Sequence, residues 1–489
     1  MKQQEFFTSR WGLIIATLGI AVGTGNIWRF SRIVAQNGGG SFLIPWVVFL
    51  FLWSIPLIIA EFAIGKSTRL GPVGAISKTA GNKFAWMGAF IALVSTAIMF
   101  YYSVVTGWCI YYFSSAVSGN LFETQDHLQY WNQFSSGYLP VIFHFLALTI
   151  GATVIYRGIV KGVERTNKFL VTSLVIILLI LFIRAVSLPD AFEGIKYFFT
   201  PQMDYLLDYK TWLNALTQNA WDTGAGWGLI LVYATYMKSK EDIPLNAALI
   251  GFGNNSISLI AGITIFSTVF ALSSVDAMTQ ISESGPANTG LTFIYLPLLF
   301  SKLSESLFLN SAVATLFFVA LSFAALSSLI SLIELTTRVF IDYGIKRTKA
   351  VWYVAASGFI LGLPSALDLQ FFTNQDWVWG VGLILSGAFI AFSVTRYGVD
   401  KFRREIINGE GNELKIGKWY NYSMKYLIPL QAIVLLFWWL VSSVTWEPDW
   451  WNPFLAENAG TCLFQWGLFL IVFYIFNNKL LIPNSHNGR

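Results

Sequence analysis

The chain has 489 residues, 55% of them hydrophobic and 12% charged, with a mean hydropathy of +0.60. Soluble domains carry about 25% charged residues, so this composition excludes a soluble globular protein and implies a chain that crosses a membrane repeatedly. The net charge of +5 calls for no nucleic acid, because the positions of the basic residues account for it.

A helix needs roughly 20 apolar residues to cross a bilayer core. About twelve runs meet that need, at 11–36, 41–64, 84–116, 139–157, 164–187, 210–236, 243–273, 308–343, 349–367, 374–397, 420–444 and 457–478. The runs are continuous rather than alternating, which predicts an all-α membrane protein and not a barrel. With the N-terminus in the cytoplasm and the spans alternating, about 25 of the 31 Lys and Arg fall on the inner side. The 117–138 and 444–458 loops hold none. This positive-inside pattern predicts a multi-pass plasma-membrane protein with both termini cytoplasmic.

The first apolar run is long and lacks a small-residue cleavage pattern, so no cleavable signal peptide is expected. No linker divides the chain, and one transmembrane domain over 1–489 is the expectation. Cys109 and Cys462 fall in predicted spans, while His127, His144 and His486 are scattered. That pattern reads as inert buried thiols and no metal-ligand set. Without a nucleophile elbow, P-loop or zinc motif, neither an enzyme nor an ATP-driven pump is expected.

Two spans are interrupted by glycines. The first contains "AVGTGNIWRF" (21–30) and the sixth "AWDTGAGWGL" (220–229). Positions one and six correspond if two five-helix units repeat, about 11–187 and 210–397, followed by two more spans over about 420–478. An odd number of spans per unit turns the second unit upside down. Unwinding a helix in lipid strands N–H and C=O groups, at several kcal/mol each. A break is therefore expected where those groups meet cargo or protein, with half-helix N-termini favouring anions and freed carbonyls favouring cations. Close helix packing explains one such break equally well. Two at matching places, each beside an embedded polar side chain, point to a transport site at the midplane.

Embedded ionisable residues are functional candidates by default. Arg29 lies just past the first break and Asp376 at the opening of span ten, so a pair between them would close the site from outside. Two unrelated interfacial charges give the same pattern. Asp222 sits in the second break, where a carboxylate holds a cation, carries a proton, or fills a place that elsewhere takes an anion. Asn26 and Asn254 offer neutral oxygens that suit Na⁺, or bond helix to helix.

In "FAALSSLISLIEL" (323–335), Ala324, Ser327 and Ser328 share one helix face at i, i+3 and i+4. The two serine hydroxyls coordinate a cation together with carbonyls of the first break in one reading, and bond back to their own helix in the other. Glu334 and Arg338 are expected to form a local i, i+4 pair. Tyr101, Tyr102, Trp221 and Trp227 sit mid-span, as pocket walls rather than interfacial belt residues.

At these residues the chain resembles the neurotransmitter:sodium symporter family, the group with the LeuT fold. The resemblance runs through "RWGLIIATLGIAVGTGNIWRF" (10–30), "NGGGSFLIPW" (37–46), "RGIVKGVER" (157–165), "YATYM" (233–237) and "FAALSS" (323–328). It implies a 5+5 inverted repeat and a Na⁺-driven symporter. One implied sodium site uses carbonyls of Gly19, Val22 and Ala324 with the hydroxyls of Ser327 and Ser328. The other uses the Ala21 carbonyl, Asn26 and Asn254, but has Asp222 where relatives carry Thr or Ser. One or two sodium ions are expected.

The implied substrate site uses the backbone N–H groups of Thr24 and Gly25 with the Tyr102 hydroxyl, beside Ala21 and Asp222. Its side-chain pocket draws on Ile98, Trp221, Gly224, Trp227, Ser328 and Leu332, with Trp221 as the lid. Monoamine carriers place an acid where this chain has Gly23, so a small neutral amino acid, aliphatic or aromatic, is the expected substrate. The positions matching the family's chloride site are Trp46, Gln218, Asp222 and Ser258, which predicts chloride independence. The inner gate departs too: Gln4 and Phe7 replace an Arg and a Trp, while Asp342, Tyr236 and Glu164 remain. A gate without that ion pair is expected to be weaker or differently held.

Two alternatives stay open on the residues. One is a proton-coupled or uncoupled carrier of an amino acid or aromatic amine-like solute, with Asp222 titrating. The other is a membrane solute sensor that does not transport. The expected partners are a small-molecule substrate and the lipid bilayer, with the chain a monomer or homodimer.

Overall fold

A computed structural model describes residues 5–482 apart from 125, 274–276, 283–284 and 410–412; Gln4 and His486 lie outside the described residues. The helices that form its spans are, in chain order, α1 (Arg10–Ala21), α2 (Trp28–Gln36), α3 (Gly40–Thr68), α4 (Asn82–Ser118), α5 (Leu139–Tyr156), α6 (Ile159–Val186), α7 (Tyr209–Asp222), α8 (Leu229–Ala234), α9 (Ile243–Leu272), α10 (Leu307–Asp342), α11 (Arg347–Leu367), α12 (Leu369–Tyr397), α13 (Trp419–Thr445) and α14 (Ala459–Ile475), and shorter helices such as Pro72–Ala80 and Ala191–Phe199 lie in the connections. Nine helices among the described residues are long and apolar enough to cross a membrane. The chain bends by 67° between α1 and the segment Thr24–Gln36, and together these make a tenth span. The broken pair α7/α8 and the shorter apolar α14 complete the expected set.

The limits of the spans follow from capping. Ser9 accepts from Gly12 N–H at 3.0 Å and starts α1, and Asp242 accepts from Leu245 N–H at 2.8 Å and starts α9. Span ten begins earlier than expected because Asp368 caps it, accepting from the N–H groups of Gln370 (2.6 Å) and Phe371 (3.2 Å). Asp376 therefore lies two turns inside α12, not at its mouth.

Burial sorts the helices into centre and rim. In its most apolar stretch α10 is 83% buried inside the protein, whereas α13 is 28% buried. An evenly apolar helix that is buried all round belongs in the centre. Accordingly α10 packs most extensively against α4 and then α6, and α1 lies against α6, α9 and α10. Glycine permits the closest approach: a Cβ on Gly65 of α3 would fall 2.1 Å from the Leu231 carbonyl oxygen of α8. The loops rich in Lys and Arg lie on the face that holds the N-terminal segment, called the basic face below. Cys109 and Cys462 are buried and unpaired.

Candidate functional site

The first break is built by Val22 and Gly23. Gly23 is extended (φ −108°, ψ −171°), and a single 3-10 turn over Thr24–Asn26 leads into α2. The Asn26 side chain holds this bend: its Oδ1 accepts from Gly23 N–H at 2.8 Å. Tyr102 reaches in from α4, with its hydroxyl 3.4 Å from Thr24 N and 3.3 Å from Thr24 Oγ1. A Cβ on Gly23 would lie 3.1 Å from both that hydroxyl and Ser328 Oγ, so glycine keeps the space between them clear. At Gly25 a Cβ would meet nothing within 4 Å.

The second break turns through three glycines with positive φ, Gly224 (70°), Gly226 (90°) and Gly228 (76°), a region only glycine enters freely. Its freed backbone groups have protein partners. Glu61, buried in α3, accepts from Gly226 N–H at 2.6 Å and from Leu231 N–H at 3.0 Å. Ser386 donates to the Gly226 carbonyl at 2.5 Å, and Ser95 to the Trp227 carbonyl at 2.6 Å. Glu61 thus caps the start of α8, as a carboxylate at a helix N-terminus should. An acid inside "LIIAEFAIGK" (57–66) is itself a signal of function under the embedded-charge rule, and the sequence reading passed over it.

Between the breaks lies a cavity of about 410 Å³. Of the expected substrate residues, Ala21, Gly23, Thr24, Gly25, Tyr102, Trp221, Asp222, Gly224, Trp227, Ser328 and Leu332 line it. Ile98 is fully buried and stands off the wall. Trp221 and Trp227 meet edge to face, 5.6 Å between centroids. The cavity continues away from the basic face, past Arg29, Asp376 and Trp439 to Glu457. Arg29 stacks on the Trp221 ring at 4.7 Å, and among the described residues it forms no ion pair with Asp376.

Two groups of oxygens border the first break. In one, Ser328 Oγ donates to the carbonyls of Gly19 (3.3 Å) and Ile20 (3.4 Å). Ser327 Oγ donates to Ala324 O at 2.9 Å, back onto its own helix. Val22 is fully buried beside them. In the other, Asn26 Nδ2 donates to Asn254 Oδ1 at 2.7 Å and to Ser258 Oγ at 2.8 Å. That same Asn254 oxygen lies 3.1 Å from the carbonyl oxygens of Ala21 and Asp222. Turning the Asn254 amide over would let it donate to both carbonyls but set two NH₂ groups 2.7 Å apart, because Asn26 is held in place by Gly23. Three acceptors thus converge where a cation would relieve their repulsion. The Asp222 side chain turns toward Gln218, whose Nε2 lies 3.4 Å from Oδ2.

Toward the basic face the helices are tied together. Arg347 at the start of α11 holds Glu334 with two bonds, of 2.6 and 3.0 Å, and Tyr236 donates to Glu334 at 2.6 Å. Arg338 pairs with Asp342 at 2.8 Å, and Gly71 N–H donates to Asp342 at 2.6 Å. The expected local Glu334–Arg338 pair is therefore not formed: Arg338 turns one helical turn onward to Asp342, and Arg347 takes its place. Glu164 accepts from Thr8 N–H at 2.8 Å and pairs with Lys168 at 2.8 Å. Phe7 is buried against Tyr233 and Tyr236. Among the described residues, Arg347 is the group that ties this end through Glu334 and Tyr236; Gln4 lies outside them. A cavity open at one end and bonded shut at the other is one stage of an alternating-access cycle.

The profile of the sodium:neurotransmitter symporter family matches residues 4–136 and 136–481. An uncharacterized sodium-dependent transporter of Methanocaldococcus jannaschii is 31% identical over 455 residues, covering 89% of this chain and 90% of that protein. The sodium-dependent serotonin transporter of Drosophila melanogaster is 28% identical over 485 residues, covering 89% and 76%. The crystal structure of MhsT in complex with L-phenylalanine superposes with a TM-score of 0.76 at 28% identity, covering 88% of this chain and 99% of that one. With two facing helix breaks around a cavity and matches along nearly its whole length, the chain belongs to the sodium:neurotransmitter symporter family, as a sodium-coupled, non-enzymatic membrane carrier with the LeuT fold.

Proposed function

We propose that the chain imports a small neutral amino acid, aliphatic or aromatic, driven by sodium and independent of chloride. The observation that carries this reading is the first break: Gly23 leaves space between Tyr102 and Ser328, and Gly25 opens onto the cavity. An α-carboxylate there meets N–H groups at a half-helix start and the Tyr102 hydroxyl. An acid at position 23 would suit an amine, and glycine does not supply one. MhsT, the similar solved structure, binds L-phenylalanine, which supports an amino acid as cargo. The basic face is then cytoplasmic, with both termini on it, in the plasma membrane.

In this reading one sodium ion sits among Gly19, Val22, Ala324, Ser327 and Ser328, and a second where Ala21, Asp222 and Asn254 converge, beside Asn26. Sodium drives the cycle through different affinities for the two states. Substrate enters past Arg29 and Asp376, those groups and Trp221 close over it, and the Arg347–Glu334–Tyr236 closure then opens inward.

The test is uptake of labelled amino acids and amines, L-phenylalanine among them, into proteoliposomes with Na⁺ or choline, chloride or gluconate, at several pH values. Uptake of neutral amino acids that needs Na⁺ and ignores gluconate is the expected result. Uptake that survives in choline and follows pH selects proton coupling through Asp222 instead. The Asp222→Ser variant is expected to acquire a chloride requirement. A parent that needs chloride, beside an Asp222→Ser variant that does not, overturns the role given to Asp222.

A further inference from the structure

Asn167 lies on α6, one turn further in than Glu164, and its side chain is fully buried. Neither its amide oxygen nor its amide nitrogen has a hydrogen-bond partner in hydrogen-bonding geometry among the described residues. The Tyr233 hydroxyl lies beside it and pairs with Ser331 Oγ at 2.9 Å; a hydroxyl that donates to Ser331 can still accept from the amide nitrogen, which leaves the amide oxygen as the end without a donor. Beyond Asn167 the buried face of α6 is apolar: Leu170, Val171, Leu174, Leu178, Leu181 and Ala185. A buried amide oxygen with no donor burdens the fold and calls for an explanation.

Its location supplies one. A Cβ built on Gly19 would lie 3.4 Å from Asn167 Cγ and 3.1 Å from Ser327 Cβ. The Asn167 amide therefore borders the spot where α1, α6 and α10 meet, against the backbone whose carbonyl accepts from Ser328 at 3.3 Å. A neutral amide oxygen is a ligand a hard cation accepts, without the charge that would trap the ion.

We propose that Asn167 is a further sodium ligand at the first break, turning its amide oxygen to the ion from the side of α6. This rests on the reading that Gly19, Ser327 and Ser328 hold sodium. The ion supplies the partner the amide oxygen otherwise lacks, and α6 becomes a third helix, after α1 and α10, that registers whether the site is filled.

Equilibrium binding of ²²Na⁺ to the purified full-length chain, with K⁺ keeping the ionic strength constant, tests this. Asn167→Ala is expected to raise the half-saturating Na⁺ about five- to tenfold, and Asn167→Asp to lower it, as a carboxylate strengthens the ligand field. The melting temperature of Asn167→Ala in K⁺ should stay close to that of the parent, because relief of the unpaired amide oxygen offsets the small volume removed. Asn167→Ala and Asn167→Asp both within twofold of the parent overturn the proposal, as does a loss of melting temperature with ²²Na⁺ binding unchanged. Ser327→Ala separates the two levels. If it weakens ²²Na⁺ binding and Asn167→Ala does not, only the role of Asn167 fails. If neither variant matters while the parent binds ²²Na⁺, the sodium site at the first break fails as well. Should Asn167→Ala not fold, Asn167→Ser is read by the same twofold criterion.

Discussion

At the second break the protein supplies partners for the backbone it has unwound. Glu61, Ser386 and Ser95 reach in from three other helices to the turn between Gly224 and Gly228. At the first break the corresponding groups meet the Tyr102 hydroxyl, the Asn26 amide and open cavity. Helix ends carry unsatisfied donors and acceptors wherever they occur. One end here is finished by the fold, and the other opens onto the cavity. The difference assigns unequal work to breaks that match in position: the second is anchored by the fold, and the first is the one proposed to contact the cargo.

Removing the anchor should have the largest effect. Glu61→Ala leaves two buried N–H groups, of Gly226 and Leu231, without acceptors, each at a cost of about 1–3 kcal/mol. The melting temperature should drop further than in any other single variant at either break, and uptake should be lost. Glu61→Gln keeps one acceptor oxygen and should fall between the two. Coincident melting curves for Glu61→Ala and the parent would show that the second break does not depend on this carboxylate.

Gly226→Ala strikes the same break through its backbone. The residue sits at φ 90°, and an added Cβ would come within 2.9 Å of the Gly387 Cα. Overpacking costs about 1–3 kcal/mol, and the left-handed conformation adds roughly 1–2 kcal/mol for a residue with a side chain. A reduced melting temperature and poor yield are expected. Normal stability would mean that α7, α8 and α12 shift easily, contrary to a fixed anchor.

Much of this was legible in the sequence because it is local. The apolar runs located the spans, and the glycines of "AVGTGNIWRF" and "AWDTGAGWGL" located both breaks. Of the residues that the family resemblance implied for the pocket, all but Ile98 line the cavity, whereas the wall formed by Phe372, Val381, Ile384 and Trp439 was not among them. What escaped depends on contacts between distant segments. Glu61 caps a helix some 170 residues further on, so nothing adjacent in sequence reveals its partner. Arg347 takes Glu334 across the α10–α11 turn, while the i+4 rule favoured Arg338, which has its own partner in Asp342. Asp376 was misplaced by two turns because the cap at Asp368 lies in an otherwise ordinary stretch. An i, i+4 rule ranks neighbours along one helix, and it is silent about a partner arriving from the next.

The smallest structural effect is expected at the first break, and it is the most informative about function. Gly25 does not have positive φ, and a Cβ there meets nothing within 4 Å. Gly25→Ala should therefore leave stability unchanged, or raise it by about 0.4–1 kcal/mol through the lower entropy of the unfolded chain. The new methyl group projects into the space proposed for the substrate carboxylate. Uptake of the transported amino acid should fall at least tenfold, with melting behaviour like that of the parent. Set beside Gly226→Ala, the same chemical change then separates the breaks: stability is lost at one and transport alone at the other. Equal losses of melting temperature in the two variants would mean that the first break is as tightly finished as the second, and that its open backbone is not where the cargo sits.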